Sequence, residues 1–199
     1  MRKIFSEEIA KIYADMLASN NVRWIGRRLN PEDQFGQLII HERKILRKFL
    51  REESGKLLDV GAGYGRLIPF YKEMGFNVVA VEPDPGARAI LIEKGVEVYD
   101  ANITRLPFES CEFDVLTLIL VIHEVLEADR IEALRECHRV LRKKGLMIVG
   151  EHRTEGFDPD WLLEVLPNLG FMVEEINTGT WRFGQIERER VLLKCRKVK

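Results

Sequence analysis

The stretch LLDVGAGYGRLIPF, residues 57–70, decides how this chain is read. An apolar run ends in Asp59, and Gly61, Gly63 and Gly65 follow at alternate positions before a second apolar segment. The pattern predicts a buried strand that feeds a helix through a turn free of bulky side chains. In an open parallel sheet such a turn lies beyond the carboxyl ends of the strands, where ligands bind. A dinucleotide fingerprint needs glycines at its first, third and sixth positions, to bring backbone amides onto a pyrophosphate. Here Arg66 holds the sixth position, which disfavours a nicotinamide dehydrogenase.

Downstream, NVVAVE ends in Glu82, 21 residues after Gly61. A carboxylate leaving the second strand at the same edge of the sheet can accept from both hydroxyls of an adenosine ribose. The turn and this acid together predict a nucleoside site with no required pyrophosphate.

Further outward, short apolar runs alternate with helical segments. Strands are expected at 56–60, 77–82, 96–100, 113–121 and 146–151. Asp84-Pro85 and Asp158-Pro159 each put a capping side chain before a proline suited to the first helical position. Ile131, Leu134, His138 and Leu141 mark one face of the helix before the fifth strand. After a helix near 159–168, FMVEEIN and ERERVLLKCRKV are joined by too short a turn for a helical crossover, so they form an antiparallel hairpin. The expected fold is α/β and Rossmann-like, a doubly wound, mostly parallel seven-stranded sheet closed by a C-terminal antiparallel β-hairpin.

Upstream, a capped helix is expected from Ser6, and an amphipathic one over 34–50 with Leu38, Ile45 and Phe49 on its apolar face. Residues 1–50 read as an N-terminal helical extension covering the site, and 51–199 as the ligand-binding domain.

The chain has 199 residues and net charge −1, with both ends basic: 10 Lys/Arg against 6 Asp/Glu in residues 1–50, and 7 against 2 in 182–199. Basic and aromatic residues are not interleaved as stacking platforms for bases require, which disfavours a nucleic-acid partner. No run of about 18 apolar residues predicts a membrane span, and we expect a cytoplasmic protein, monomer or homodimer. Cys111, Cys137 and Cys195 lack metal-site or disulfide spacing, so we expect reduced, packed thiols and no metal site.

Taken in order, LLDVGAGYGRL, AVEPDPGAR, YDANITRLPFESCEFDVLTLILVIHEV and ECHRVLRKKGLMIVGEHR resemble the class I S-adenosylmethionine-dependent methyltransferases, in particular the small UbiE-like (methyltransferase type 11) branch, over about residues 40–199. The resemblance implies S-adenosylmethionine as cofactor, S-adenosylhomocysteine as product and a small-molecule methyl acceptor. It implies that Gly61, Ala62 and Gly63 approach the amino-acid part of the cofactor, and that Asp59 orients the turn or accepts from the cofactor amine. Glu82 is implied to hold the ribose, with Pro83 and Asp84 shaping the adenine side. Asp100 accepts from the adenine amino group, the amide of Ala101 donates to the ring, and Ile119 lies at the cofactor edge of strand four. Polar residues common near the end of that strand are replaced here by Leu118, Ile119 and Leu120.

Substrate-facing groups are expected just beyond strands four and five: His123 and Glu124, then Glu151 and His152. His123 stands as the candidate general base, with pocket lining or packing of the next helix as the open alternatives. Tyr13, Trp24, Trp181 and Arg182 are candidates to close the pocket or to pack elsewhere. Protein or RNA methylation, and non-catalytic cofactor binding by a regulatory protein, remain alternatives to small-molecule methylation.

Overall fold

The computed structural model describes residues 34–183 and 186–198, with the backbone alone at 34–39, 181–183 and 186. The helix expected from Ser6, with Tyr13 and Trp24, lies outside the described residues, as do the side chains of Leu38, Trp181 and Arg182.

Helix α1 (Gln34–Leu50) precedes β1 (Lys56–Val60), α2 (Ile68–Glu73), β2 (Asn77–Val81), α3 (Pro85–Glu93) and β3 (Glu97–Tyr99). Then come β4 (Phe113–Ile119), α4 (Arg130–Val140), β5 (Leu141–His152), α5 (Trp161–Asn168), β6 (Phe171–Phe183) and β7 (Ile186–Lys197). The strands form one seven-stranded sheet in the order β3-β2-β1-β4-β5-β7-β6. Pairing is parallel from β3 through β5 and antiparallel at β5–β7 and β7–β6. The doubly wound sheet and its C-terminal hairpin are as the sequence predicts.

Strand alternation sends Leu58, Val60, Leu116, Leu118, Met147 and Val149 to one face, against Leu134, Cys137 and Leu162 of α4 and α5. It sends Leu57, Val78, Val115, Ile148 and Leu192 to the other, against Leu46, Phe49, Phe70 and Leu91 of α1 to α3. Both faces are covered, which accounts for the nearly unbroken apolar strands. Strand order reverses between β1 and β4, so their carboxyl ends open the crevice that places the site.

Four local expectations are corrected. Strand β4 stops at Ile119 rather than 121, because Leu120 turns left-handed at φ 63° with its amide on the carbonyl of Gly150. Strand β5 starts at Leu141 rather than 146, since Leu141 pairs with Phe113 across an irregularity in the ladder; the apolar period alone could not tell that buried residue from one more turn of helix. Asp84 does cap α3, accepting from the amide of Ala87 at 2.7 Å, but Asp158 accepts from the amide of Asp160 and the helix begins at Trp161. Cys137 and Cys195 are packed thiols, whereas Cys111 is exposed in a left-handed turn.

Candidate active site

The glycine turn is bonded to the protein itself. The amides of Gly61 and Ala62 both donate to the carbonyl of Val81, that of Gly65 donates to Ala62, and that of Gly63 donates to Glu82 Oε2 at 2.7 Å. The N–H groups that a pyrophosphate needs are thus consumed at these four residues, the physical counterpart of the broken dinucleotide spacing. Gly61, Gly63 and Gly65 all have positive φ, a conformation that only glycine adopts without strain.

The glycines differ in what surrounds them. A side chain at Gly61 would meet Val121 Cγ2 at 2.6 Å, and one at Gly65 would meet Leu91 Cδ2 at 2.5 Å. A side chain at Gly63 would meet nothing within 4 Å among the described residues. Gly61 therefore makes room for the loop after β4, and Gly63 is the glycine open to a ligand.

Glu82, 7% exposed, stands where β2 ends. Its Oε1 accepts from the amide of Asp84 at 2.8 Å while Oε2 holds Gly63. Each oxygen keeps a second lone pair, so the pair can still accept from two ribose hydroxyls. Pro83 and Asp84 follow at the start of α3, and Asp100 and Ala101 at the end of β3, along the same edge. Asp100 is exposed and ion-paired to Arg88 Nη2 at 2.8 Å; the Arg88 guanidinium also donates to the carbonyls of Glu82 and Pro83. Arg88 went unnoticed in the sequence, although DPGAR places it four residues past the cap, one helical turn along.

Asp59 sits opposite Thr117 in register and accepts from its hydroxyl at 2.8 Å. Burial pushes the Asp59 carboxyl up to about 6, against the hydrogen bond from Thr117 and the charge of Arg66. Arg66 binds Glu42 of α1 through both terminal nitrogens, and Arg43 donates to the Arg66 carbonyl at 3.1 Å. Ile119, 8% exposed, packs on the face that α1 covers.

Beyond β4 and β5 the four expected residues come together around Glu151. That carboxylate, 1% exposed, accepts from the amides of Val121 at 2.9 Å and Ile122 at 2.6 Å with one oxygen. Its other oxygen contacts His123 Nδ1 at 2.7 Å, and His123 Nε2 reaches Glu124 at 3.1 Å. Burial lowers the affinity of His123 for its proton, but the hydrogen bonds to Glu124 and Glu151 outweigh it and push the ring up to about 9. The His152 ring lies 4.6 Å away, and burial with the charges of His123 and Arg188 pushes it down to about 4. His123 is therefore an imidazolium with both nitrogens donating at neutral pH. It has no lone pair for an incoming proton until one ring nitrogen has given up its own, for which Glu124 at 3.1 Å is the nearest half-exposed acceptor.

Among the described residues no group of three or more His, Cys, Asp or Glu side chains is placed to hold a metal, and no helix is long and apolar enough to cross a membrane.

The fold is that of a Rossmann-like α/β protein, with the glycine turn and Glu82 at the ends of β1 and β2 and a polar cluster beyond β4 and β5. The methyltransferase domain family matches residues 58–149. Over that stretch the chain resembles the S-adenosylmethionine-dependent methyltransferases. It is 28% identical over 148 residues to the ubiquinone/menaquinone biosynthesis C-methyltransferase UbiE of Campylobacter jejuni, covering 66% of this chain and 62% of the relative. It is 31% identical over 132 residues to the N-terminal Xaa-Pro-Lys N-methyltransferase 1 of Danio rerio, covering 59% of each. In fold it resembles the Burkholderia thailandensis 1,6-didemethyltoxoflavin-N1-methyltransferase, crystallised with 1,6-didemethyltoxoflavin and S-adenosylhomocysteine, at a TM-score of 0.66 and 20% identity over 95% of this chain and 90% of that one. Matches to the curated relatives span about three fifths of their length, 58% and 62% for two of them.

Proposed function

We propose that this protein transfers the methyl group of S-adenosylmethionine to a small-molecule acceptor. The observation that carries the reading is the buried Glu82 carboxylate clasping Gly63, beside the one glycine of the turn that faces open space. Glu82 holds the ribose, Gly63 admits the amino-acid part, Asp59 accepts from its amine, and Asp100 with the Ala101 amide meets the adenine beside Pro83. The cofactor supplies an activated methyl on a sulfonium.

The chain's own contribution is position. A nucleophile must lie in line with the sulfur–carbon bond, and holding it there accounts for most of the rate enhancement such a site can give. The loop of Val121, Ile122 and His123, gathered by Glu151, forms the wall on the acceptor side. His123 serves there as a fixed cation and donor, or as a base once it has passed one ring proton to Glu124 or to solvent. Contacts of Glu42 and Arg43 with Arg66 support residues 1–50 as cover for the site. Free thiols at Cys111, Cys137 and Cys195 fit a reducing compartment such as the cytoplasm.

The likeness to an enzyme named for peptide N-termini supports a second reading, methylation of a protein amine. Incubation with methyl-labelled S-adenosylmethionine and a cell extract separates the two. Label in the low-molecular-weight fraction supports the first reading, and label in polypeptide supports the second. Cofactor binding with no acceptor-dependent turnover in any fraction overturns both and leaves a regulatory binding protein.

A further inference from the structure

Beyond the cluster at Glu151, the acceptor side carries two arginines that the proposed methyl transfer leaves unused. On β7, alternation puts Arg188 and Arg190 on the face of Leu192, the face that α1 covers. Arg190 pairs in register with His152 of β5 and Gly179 of β6, at the edge where β5 ends. It is 8% exposed, and its Nη1 is buried with no hydrogen-bond partner among the described residues. Arg188 offers a second buried, unpartnered atom, its Nε, while its Nη1 donates to the Arg153 carbonyl at 3.4 Å.

Among the described residues the nearby charges do not answer this need. Glu42, the acid whose charge acts on Arg190, already has both oxygens on the Arg66 guanidinium. Arg66 and Arg188 add positive charge, and His41 of α1 lies within the field of Arg190. A buried guanidinium N–H with no acceptor is costly to keep, because arginine cannot shed its charge. Its planar fork matches a carboxylate through two parallel hydrogen bonds.

Position favours the acceptor as the source of that carboxylate. The nucleoside edge lies over β1 to β3, whereas β7 is the third strand from β1 on the other side, roughly 14 Å away at the usual strand spacing. We propose that Arg190, assisted by Arg188, receives a carboxylate of the methyl acceptor, so that the substrate is an organic acid anchored at the β5–β7 edge. This rests on the methyl-transfer reading above.

The test keeps the two readings apart. S-adenosylhomocysteine is titrated first; a failure to bind sinks the methyl-transfer reading, and acetate titration of the protein alone still reports on Arg190. Otherwise acetate and acetamide are titrated into protein saturated with S-adenosylhomocysteine, while the arginine N–H resonances are followed by NMR. Acetate should shift the Arg190 signals and bind at least tenfold more weakly to Arg190→Gln, and acetamide should do neither. Arg190→Lys should keep part of the affinity, since it retains the charge and loses the fork. Should the glutamine variant not fold, the lysine variant and the resonances of the unaltered protein still decide. Absence of an Arg190 shift with acetate, equal binding by acetamide, or unchanged acetate binding to Arg190→Gln overturns the proposal. It is equally overturned if Arg190→Gln weakens S-adenosylhomocysteine but not 5′-methylthioadenosine, which lacks the amino-acid part. That result assigns the arginine to the cofactor.

Discussion

Glu82 accepts the backbone amide of Gly63 at 2.7 Å, so the acid at the end of β2 and the glycine turn after β1 form one hydrogen-bonded unit. With the bond to Asp84 at 2.8 Å, the same side chain also fixes the start of α3. A ribose would meet a carboxylate already oriented by two N–H groups. Such preorganisation lowers the ordering cost of binding.

Glu82→Gln removes the charge and turns one acceptor into a donor facing an N–H. We expect S-adenosylhomocysteine affinity to fall by about tenfold to a hundredfold, because charge-assisted hydrogen bonds contribute roughly 1.5–3 kcal/mol each. Hydrogen exchange at Gly63 should quicken in the same variant. A 2′-deoxy analogue should bind the original protein weakly and lose much less further affinity. Equal calorimetric losses for ribose and deoxyribose ligands would detach Glu82 from the 2′-hydroxyl.

Gly61 and Gly63 should separate stability from binding. Gly61→Ala drives a methyl into Val121 and strains a φ of 70°, so thermal and urea unfolding should reveal a loss of roughly 2–4 kcal/mol. Gly63→Ala meets open space, and its φ of 54° costs about 1–2 kcal/mol. Its principal effect should be on cofactor affinity, and Gly63→Val should abolish binding in a folded protein. The opposite ranking would move the ligand to Gly61.

Asp59 should cost the fold stability. Its carboxyl is pushed up to about 6 by burial, so the folded state holds the proton more tightly than the unfolded chain. Stability then falls as pH rises from about 4 through 6, and the deficit persists above. Asp59→Asn keeps an acceptor for Thr117 and should raise stability at pH 7 by on the order of 2–3 kcal/mol, flattening the acid limb. S-adenosylhomocysteine should bind less well if, as proposed, the Asp59 carboxylate accepts from its amine. Urea melts at pH 4 and 7 check this, and equal melts for the two proteins at both pH values would refute it.

Most of the fold was legible because each strand is a short apolar run and each helix has its own period. Lys56–Val60 is the predicted β1 to the residue, and Asp84-Pro85 starts a helix as its chemistry requires. The pairing of the glycine turn with Glu82 was legible because turn and acid follow adjacent strands at fixed separation. What escaped depends on contacts distant in sequence: Glu151 capping the loop of Val121, Arg88 joining the ends of β2 and β3, and Leu120 turning left-handed to end β4. No local period marks a buried acid that meets its partners 28 to 30 residues away.

The last prediction concerns Glu151 and His123, where pH separates a base from a fixed cation. The folded His123 ring titrates at about 9, above its value of 6.5 when free. The stability it contributes is therefore complete below about 6.5 and is lost as pH rises through 9. His152 acts in the opposite sense: pushed down to about 4, it opposes folding in acid and ceases to do so above about 6.5. If the neutral ring is the base, turnover rises with pH through about 9, whereas a required imidazolium gives turnover that falls there. Once an acceptor is in hand, His123→Asn should lower turnover by about a hundredfold or more if the ring moves the proton, with cofactor affinity nearly unchanged. Glu151→Gln tests which form acts. Its carbonyl can keep the amides of Val121 and Ile122, and its amide can donate to a neutral ring, but the charge that holds the proton on His123 is gone. The alkaline limb should then move down by about one pH unit or more, toward the ordinary histidine range. A limb that stays in place in Glu151→Gln would show that His123 does not set it.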